Sequence, residues 1–178
     1  MQIRDLLLPE FDGEMQNTHK ILELVPKNRF DYKPDSDSMT LGRLAAHIAE
    51  IPSWGEPLFD REVLDLHPGE KPFEVHSTTE LLDQFEKNVI TARAGIAKAS
   101  NEDFQKMWTV KFGGQQILSM PRHLVIRIAV LHNLIHHRAQ LGVYLRLNKI
   151  PLPDMYGAAP GHMYIVSVNT SEPRKKSG

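Results

Sequence analysis

From Ser119 and Pro121, a cap and a first-turn proline, the sequence runs on in helix-forming residues to about Asn148, where "IPLPDMYG" stops it. A helix of that length carries apolar residues that other elements must cover, so the rest of the chain is read for partners. Residues 2–25 place Leu8, Phe11, Met15, Leu22 and Val25 near one face and end at Pro26. Thr40 caps a second helix with the stripe Leu44, His47, Ile51, Trp54 and Leu58, which Pro52 should kink or shorten. Ser77 and Glu80 read as a capping box before a third helix that turns Leu81, Leu82, Phe85, Val89, Ala92 and Ile96 inward. Residues 59–76 contain Pro68 and Pro72 and show no sustained periodicity, which predicts a long connection. Trp108, Val110 and Phe112 alternate up to Gly113 and Gly114, the pattern of a tight hairpin. The expectation is an all-α fold, an antiparallel four-helix bundle with one long crossover and a small β-hairpin between the third and fourth helices.

Composition narrows the function classes. A chain of 178 residues with 41% hydrophobic content suffices for one domain with a real core. We assign residues 1–160 to that domain and 161–178, which include the polar "NTSEPRKKSG", to a partly disordered extension. Lys and Arg total 21 against 22 Asp and Glu, and no basic stripe stands out, which argues against a nucleic-acid partner. The absence of cysteine removes disulfides, thiolate ligands and a cysteine nucleophile. "LLL" before Pro9 is too short for a signal peptide, and Arg127 interrupts "LVIRIAVL", so no membrane association and a cytoplasmic location are expected.

Within the last helix, "LHNLIHHRAQ" puts three histidines into an apolar setting. At α-helical spacing His132 and His136 are about 40° apart and about 6 Å along the axis, on a face shared with Val125, Ile128, Ala129, Ala139 and Val143. His137 falls about 140° from His132 and is set aside as a partner on that wheel. His47 interrupts the apolar stripe of the second helix in the same way. An unpaired buried imidazole costs about 1–3 kcal/mol, so something should satisfy these rings. A pair at i and i+4 with a third ring from another helix fits a divalent metal with one coordination position left open. The candidate ligands are His47, His132 and His136, and the candidate ions are zinc or nickel, with iron as a further option. Glu50, three residues after His47, is a candidate catalytic proton carrier or a brace for the imidazole. His19, His67, His76, His123 and His162 lie in polar or loop settings and are not taken as ligands.

"LAAHIAEIPSW", the Trp-containing ribbon with its Gly-Gly, "HNLIHHRAQLGVYLR" and "IPLPDMYG" together resemble the DinB/YfiT-like superfamily of metal-dependent enzymes over most of residues 2–157. The resemblance implies an up-down-down-up four-helix bundle, commonly a homodimer, with a divalent ion held by one histidine of the second helix and an HxxxH pair of the fourth. The matching positions are His47, His132 and His136. Ala139 stands where many relatives have glycine. The resemblance also suggests thiol-dependent S-transfer, with a low-molecular-weight thiol among the small-molecule substrates. A metal with neutral ligands can lower the pKa of a bound thiol or water, which suits that chemistry and equally suits a hydrolase. A noncatalytic dimeric metal-binding module is the third reading, disfavoured because structural zinc sites usually have four protein ligands. Val130, Leu134, Leu141 and Leu145 lie opposite the predicted histidine face, which predicts a subunit contact there. The strand-like "MYIVSV" is expected to pair with the ribbon.

Overall fold

The computed structural model describes residues 1–69 and 72–157. The expected extension, His162 and "MYIVSV" lie outside the described residues. Four long helical stretches enclose the core. Helix α1 (Ile3–Leu22) packs against α4 (Thr78–Lys98) and α7 (Asn133–Leu147), and α2 (Leu41–Glu50) packs against the same two. Short helices α3 (Pro57–Asp60), α5 (Asn101–Gln105) and α6 (Arg122–Val125) link them with three strands. Among the described residues no helix is long and apolar enough to cross a membrane.

Local signals account for most boundaries. Thr40 Oγ1 accepts the Arg43 N–H at 3.1 Å and starts α2. Ser77 Oγ accepts the Glu80 N–H at 3.1 Å, while the Glu80 carboxylate accepts the His76 N–H at 2.9 Å. Pro52 ends the α-helical geometry of α2, which tightens into a 3₁₀ segment over Ile51–Gly55. A Cβ on Gly55 would lie 2.6 Å from the Ala92 Cβ, so glycine lets this segment touch α4. Asn88, buried on α4, donates to the Ala49 carbonyl at 2.8 Å and ties α4 to α2 through the core.

Three differences from expectation have physical causes. The sheet has three strands, in the order β1 (Val63–Leu66), β2 (Met107–Phe112), β3 (Gln115–Pro121), so the fold is mainly helical with a small sheet. Val63 to Leu66 is too short a run to show periodicity, and it becomes a strand by pairing parallel with Thr109 to Phe112. Ser119 does not cap the last helix, because β3 continues through Pro121, opposite Met107, and the Ser119 hydroxyl meets that of Thr109 at 3.0 Å. The last helix is also not α-helical throughout, since Ile126–His132 forms a π segment between α6 and α7.

That segment decides which face is buried. Arg122, Ile126, Val130, Leu134 and Arg138 are all buried, at steps of four residues, followed by Leu141 and Leu145. In a pure α-helix a four-residue step drifts by about 40°, and the wider π turns take that rotation back. The expected inward face is therefore only partly inside: Val125 is buried and Ala129 packs on the core, while Ile128 and Val143 are 45% and 44% exposed and Ala139 is exposed too. Val130, Leu134, Leu141 and Leu145, expected at a subunit contact, lie in the core of the same chain.

Candidate functional site

His47 leaves α2 at a position between buried Ala46 and Ile48 and is itself half-buried. Its ring meets His137 of α7 edge-on, with centroids 4.5 Å apart, and His137 in turn meets His136 at 4.9 Å. Gln140 Oε1 lies 2.8 Å from His137 Nδ1 and fixes that ring from the next turn. Glu50 Oε2 lies 4.0 Å from His47 Nδ1 and 3.0 Å from Arg43 Nη1. Its other oxygen accepts the Phe73 N–H at 2.6 Å. Burial pushes the His47 pKa down, the charges of His137 and Arg43 push the same way, and Glu50 opposes them. The lowered pKa favours the neutral imidazole, the form that has a free lone pair.

The residues named from the sequence differ in exposure here. His132 and His136 are exposed, on the side of the helix that the π segment turns to solvent. Among the described residues no group of three or more His, Asp or Glu is gathered in a form that could hold a metal ion. Two imidazoles bound tetrahedrally to one ion have centroids about 5 Å apart, close to the 4.5 Å between His47 and His137. The donor set thus fits in part: rings from two helices are in contact, His136 stands against His137, and His132 is exposed one turn earlier. Glu50 has both oxygens engaged, which suits a brace for His47 better than a free proton carrier.

Sequence reasoning missed His137, whose only signal was the His136–His137 doublet offering two directions from one turn. It also missed the Arg138 network. Arg138 donates to the Glu14 carbonyl and the Thr18 hydroxyl, each at 2.9 Å, and to Glu14 Oε2 at 2.6 Å. The Tyr156 hydroxyl bonds both Arg138 and Glu14 and fastens the segment after α7 to α1. An apolar groove of about 620 Å³ opens elsewhere, between α1 and α4, over Met15, Phe85, Val89 and Ile90, with His19 and Glu86 paired at 3.0 Å on its rim. Neither His47 nor His137 lines it.

Comparison with known proteins places this architecture. No curated protein matches the chain. A DinB-like protein from Bacillus subtilis has the same fold, with a TM-score of 0.65 at 18% identity over 86% of this chain and 99% of that one. A DinB-like protein from Bacillus cereus matches with a TM-score of 0.64 at 20% identity over 84% and 95%. At these identities the likeness concerns the fold alone. The family model described as the DinB family matches residues 1–173. With nearly the whole sequence matched and the fold shared, the chain belongs to the DinB family.

Proposed function

We propose that this chain is a metal-dependent enzyme, with a divalent cation, zinc or nickel, held from α2 by His47 and from the last helix by histidines of the stretch 132–137. The observation that supports the reading is the contact of His47 with His137, two imidazoles delivered by different helices, with burial favouring the neutral form of His47. The reading keeps the up-down-down-up bundle as the frame. The ion, when bound, would acidify a coordinated thiol or water. The chain's own groups supply position: Gln140 orients His137, and Glu50, clamped by Arg43 and the Phe73 N–H, orients His47. We take thiol-dependent S-transfer as the reaction, with a low-molecular-weight thiol as one substrate.

The test is a titration of tag-free, metal-stripped protein with Zn²⁺ and Ni²⁺ by calorimetry. His47→Ala and His137→Ala should each weaken binding by about 10–100-fold or more. His132→Ala and His136→Ala divide the remaining question: a loss equal to that of His137→Ala would make the HxxxH pair a ligand pair, and an unchanged isotherm would leave His137 as the ligand from α7. Native protein that binds neither ion at micromolar concentration overturns the proposal. Loaded protein should then turn over an electrophile with added small thiol; turnover of simple esters without thiol would redirect the reading to a hydrolase.

We also propose a homodimer, through the apolar residues that the last helix leaves outside, Ile128, Val143 and Leu147 at 45%, 44% and 52% exposure. Light scattering that shows only monomer at micromolar concentration would remove it.

A further inference from the structure

The apolar groove between α1 and α4 lies apart from the histidines and has no cover among the described residues. Ile90, in the middle of α4, is 67% exposed, more than any other large apolar side chain between residues 2 and 157. A single exposed apolar residue is ordinary. One that stands in a groove lined also by Met15, Phe85 and Val89 is part of a surface that gains by being covered. A glycine on the solvent side of α1 points the same way. Gly13 lies inside the helix, where glycine costs about 0.5–1 kcal/mol relative to alanine, and a Cβ built on it would meet nothing within 4 Å. No contact among the described residues asks for glycine there, whereas a chain passing closely over α1 would.

The chain itself supplies an occupant of the right character. Residues 158–178 follow Gly157, and 163–168, Met-Tyr-Ile-Val-Ser-Val, are their apolar part. The DinB family model runs through this part to residue 173, so it belongs to the matched domain. Along an extended chain Met163 and Ile165 would fall on one side and Tyr164, Val166 and Val168 on the other, apolar both ways. Tyr156 sets the route, because its hydroxyl bonds Glu14 of α1, one residue before Met15. Viewed down α1, Gly13 lies about 100° and Gln16, on the groove rim, about 160° round the solvent side from Glu14. Half the circumference of a helix about 10–12 Å wide is roughly 17 Å, and the stretch from Gly157 to Met163 spans about 20 Å when extended. The ribbon is the more distant surface. It ends where the last helix starts, at Arg122, roughly 20–24 Å along the axis from Arg138, which the Tyr156 hydroxyl also bonds.

We propose that residues 163–168 cross α1 over Gly13 and lie in the α1–α4 groove, covering Ile90 within the same chain. This placement replaces a pairing of the segment with the ribbon. Covering Ile90 removes apolar area from water. A segment tethered at Tyr156 also meets the groove at an effective concentration near millimolar, which puts it ahead of a second copy at about micromolar concentration. The groove is then a seat for the chain's own segment, and the exposed stripe of Ile128, Val143 and Leu147 is left as the surface for the partner in a dimer.

The chain has no cysteine, so introduced pairs report without background. Full-length Ile90→Cys protein carrying either Val166→Cys or Ser177→Cys is oxidised with diamide, and intrachain disulfide formation is followed by non-reducing electrophoresis. A segment that is merely tethered gives a rate ratio of about threefold, because the two cysteines stand nine and twenty residues beyond Gly157. With the segment seated in the groove, the Val166 pair should form about tenfold faster than the Ser177 pair, or more. It should also outpace Val166→Cys paired with Ile117→Cys on the ribbon. Should a variant fail to fold, nuclear Overhauser contacts between the Ile90 methyl groups and residues 163–168 of the unsubstituted chain decide, since they need no substitution. A ratio well below about tenfold, a faster Ile117 pair, a disulfide that forms only between two chains, or the absence of those contacts overturns the proposal.

Discussion

Arg138 and Arg122 occupy the same buried stripe of the last helix, at 2% and 5% exposure, and the protein treats them differently. Arg138 meets a carboxylate, a carbonyl and two hydroxyls. Arg122 meets one distant carbonyl and an aromatic ring. His47 shows a third solution, because burial lowers its pKa and favours the uncharged form, which is not open to an arginine. The comparison teaches that burying a cation is tolerable when its counter-charge comes from the chain or when the group can give up its charge.

The largest test breaks the satisfied case. Arg138→Met leaves the Glu14 carboxylate, 13% exposed, without its cation, and should cost about 3–5 kcal/mol in chemical denaturation. A loss below about 1 kcal/mol would mean that the network does not carry the docking of α7 on α1. Arg122→Met, which removes one long hydrogen bond and a distant aromatic contact, should show a smaller loss, of roughly 1 kcal/mol. A loss equal to that of Arg138→Met would erase the distinction between the two arginines.

Two pH experiments sharpen the comparison with smaller effects. Burial, and then the bond to Glu14, raise the Tyr156 pKa above 10, with Arg138 opposing. The unfolded chain then loses this proton first, so folding stability should fall as pH rises above about 10. Tyr156→Phe should flatten that alkaline limb. The lowered His47 pKa acts at the other end: below about pH 6.5 the unfolded chain gains a proton that the folded chain resists, so stability should fall with acidity. His47→Gln should lose that part of the acid limb, and an NMR titration placing His47 at or above 6.5 would remove the cause.

How much was legible follows from how local each signal is. The caps at Thr40 and Ser77, the break at Pro52 and the Gly113–Gly114 turn act over a few residues, and each stands where the sequence puts it. Strand β1 was not legible, because four residues gain their structure only from the partner strand. The inward face of the last helix was not legible either. Apolar residues surround it, so periodicity offered two faces, and the π segment chose the one with Val130 and Leu134.

The sequence by itself determined a mainly helical chain, four long helical segments, a Gly-Gly ribbon and histidines on two of those helices, since propensity, capping and turn chemistry are properties of neighbours along the chain. The tertiary structure alone decided that His137 meets His47, that Arg138 finds Glu14 and that Arg122, among the described residues, finds the Arg61 carbonyl. Those outcomes depend on a small rotation accumulated through one π segment, and rotation about a helix axis is fixed by what packs against it from far away in sequence.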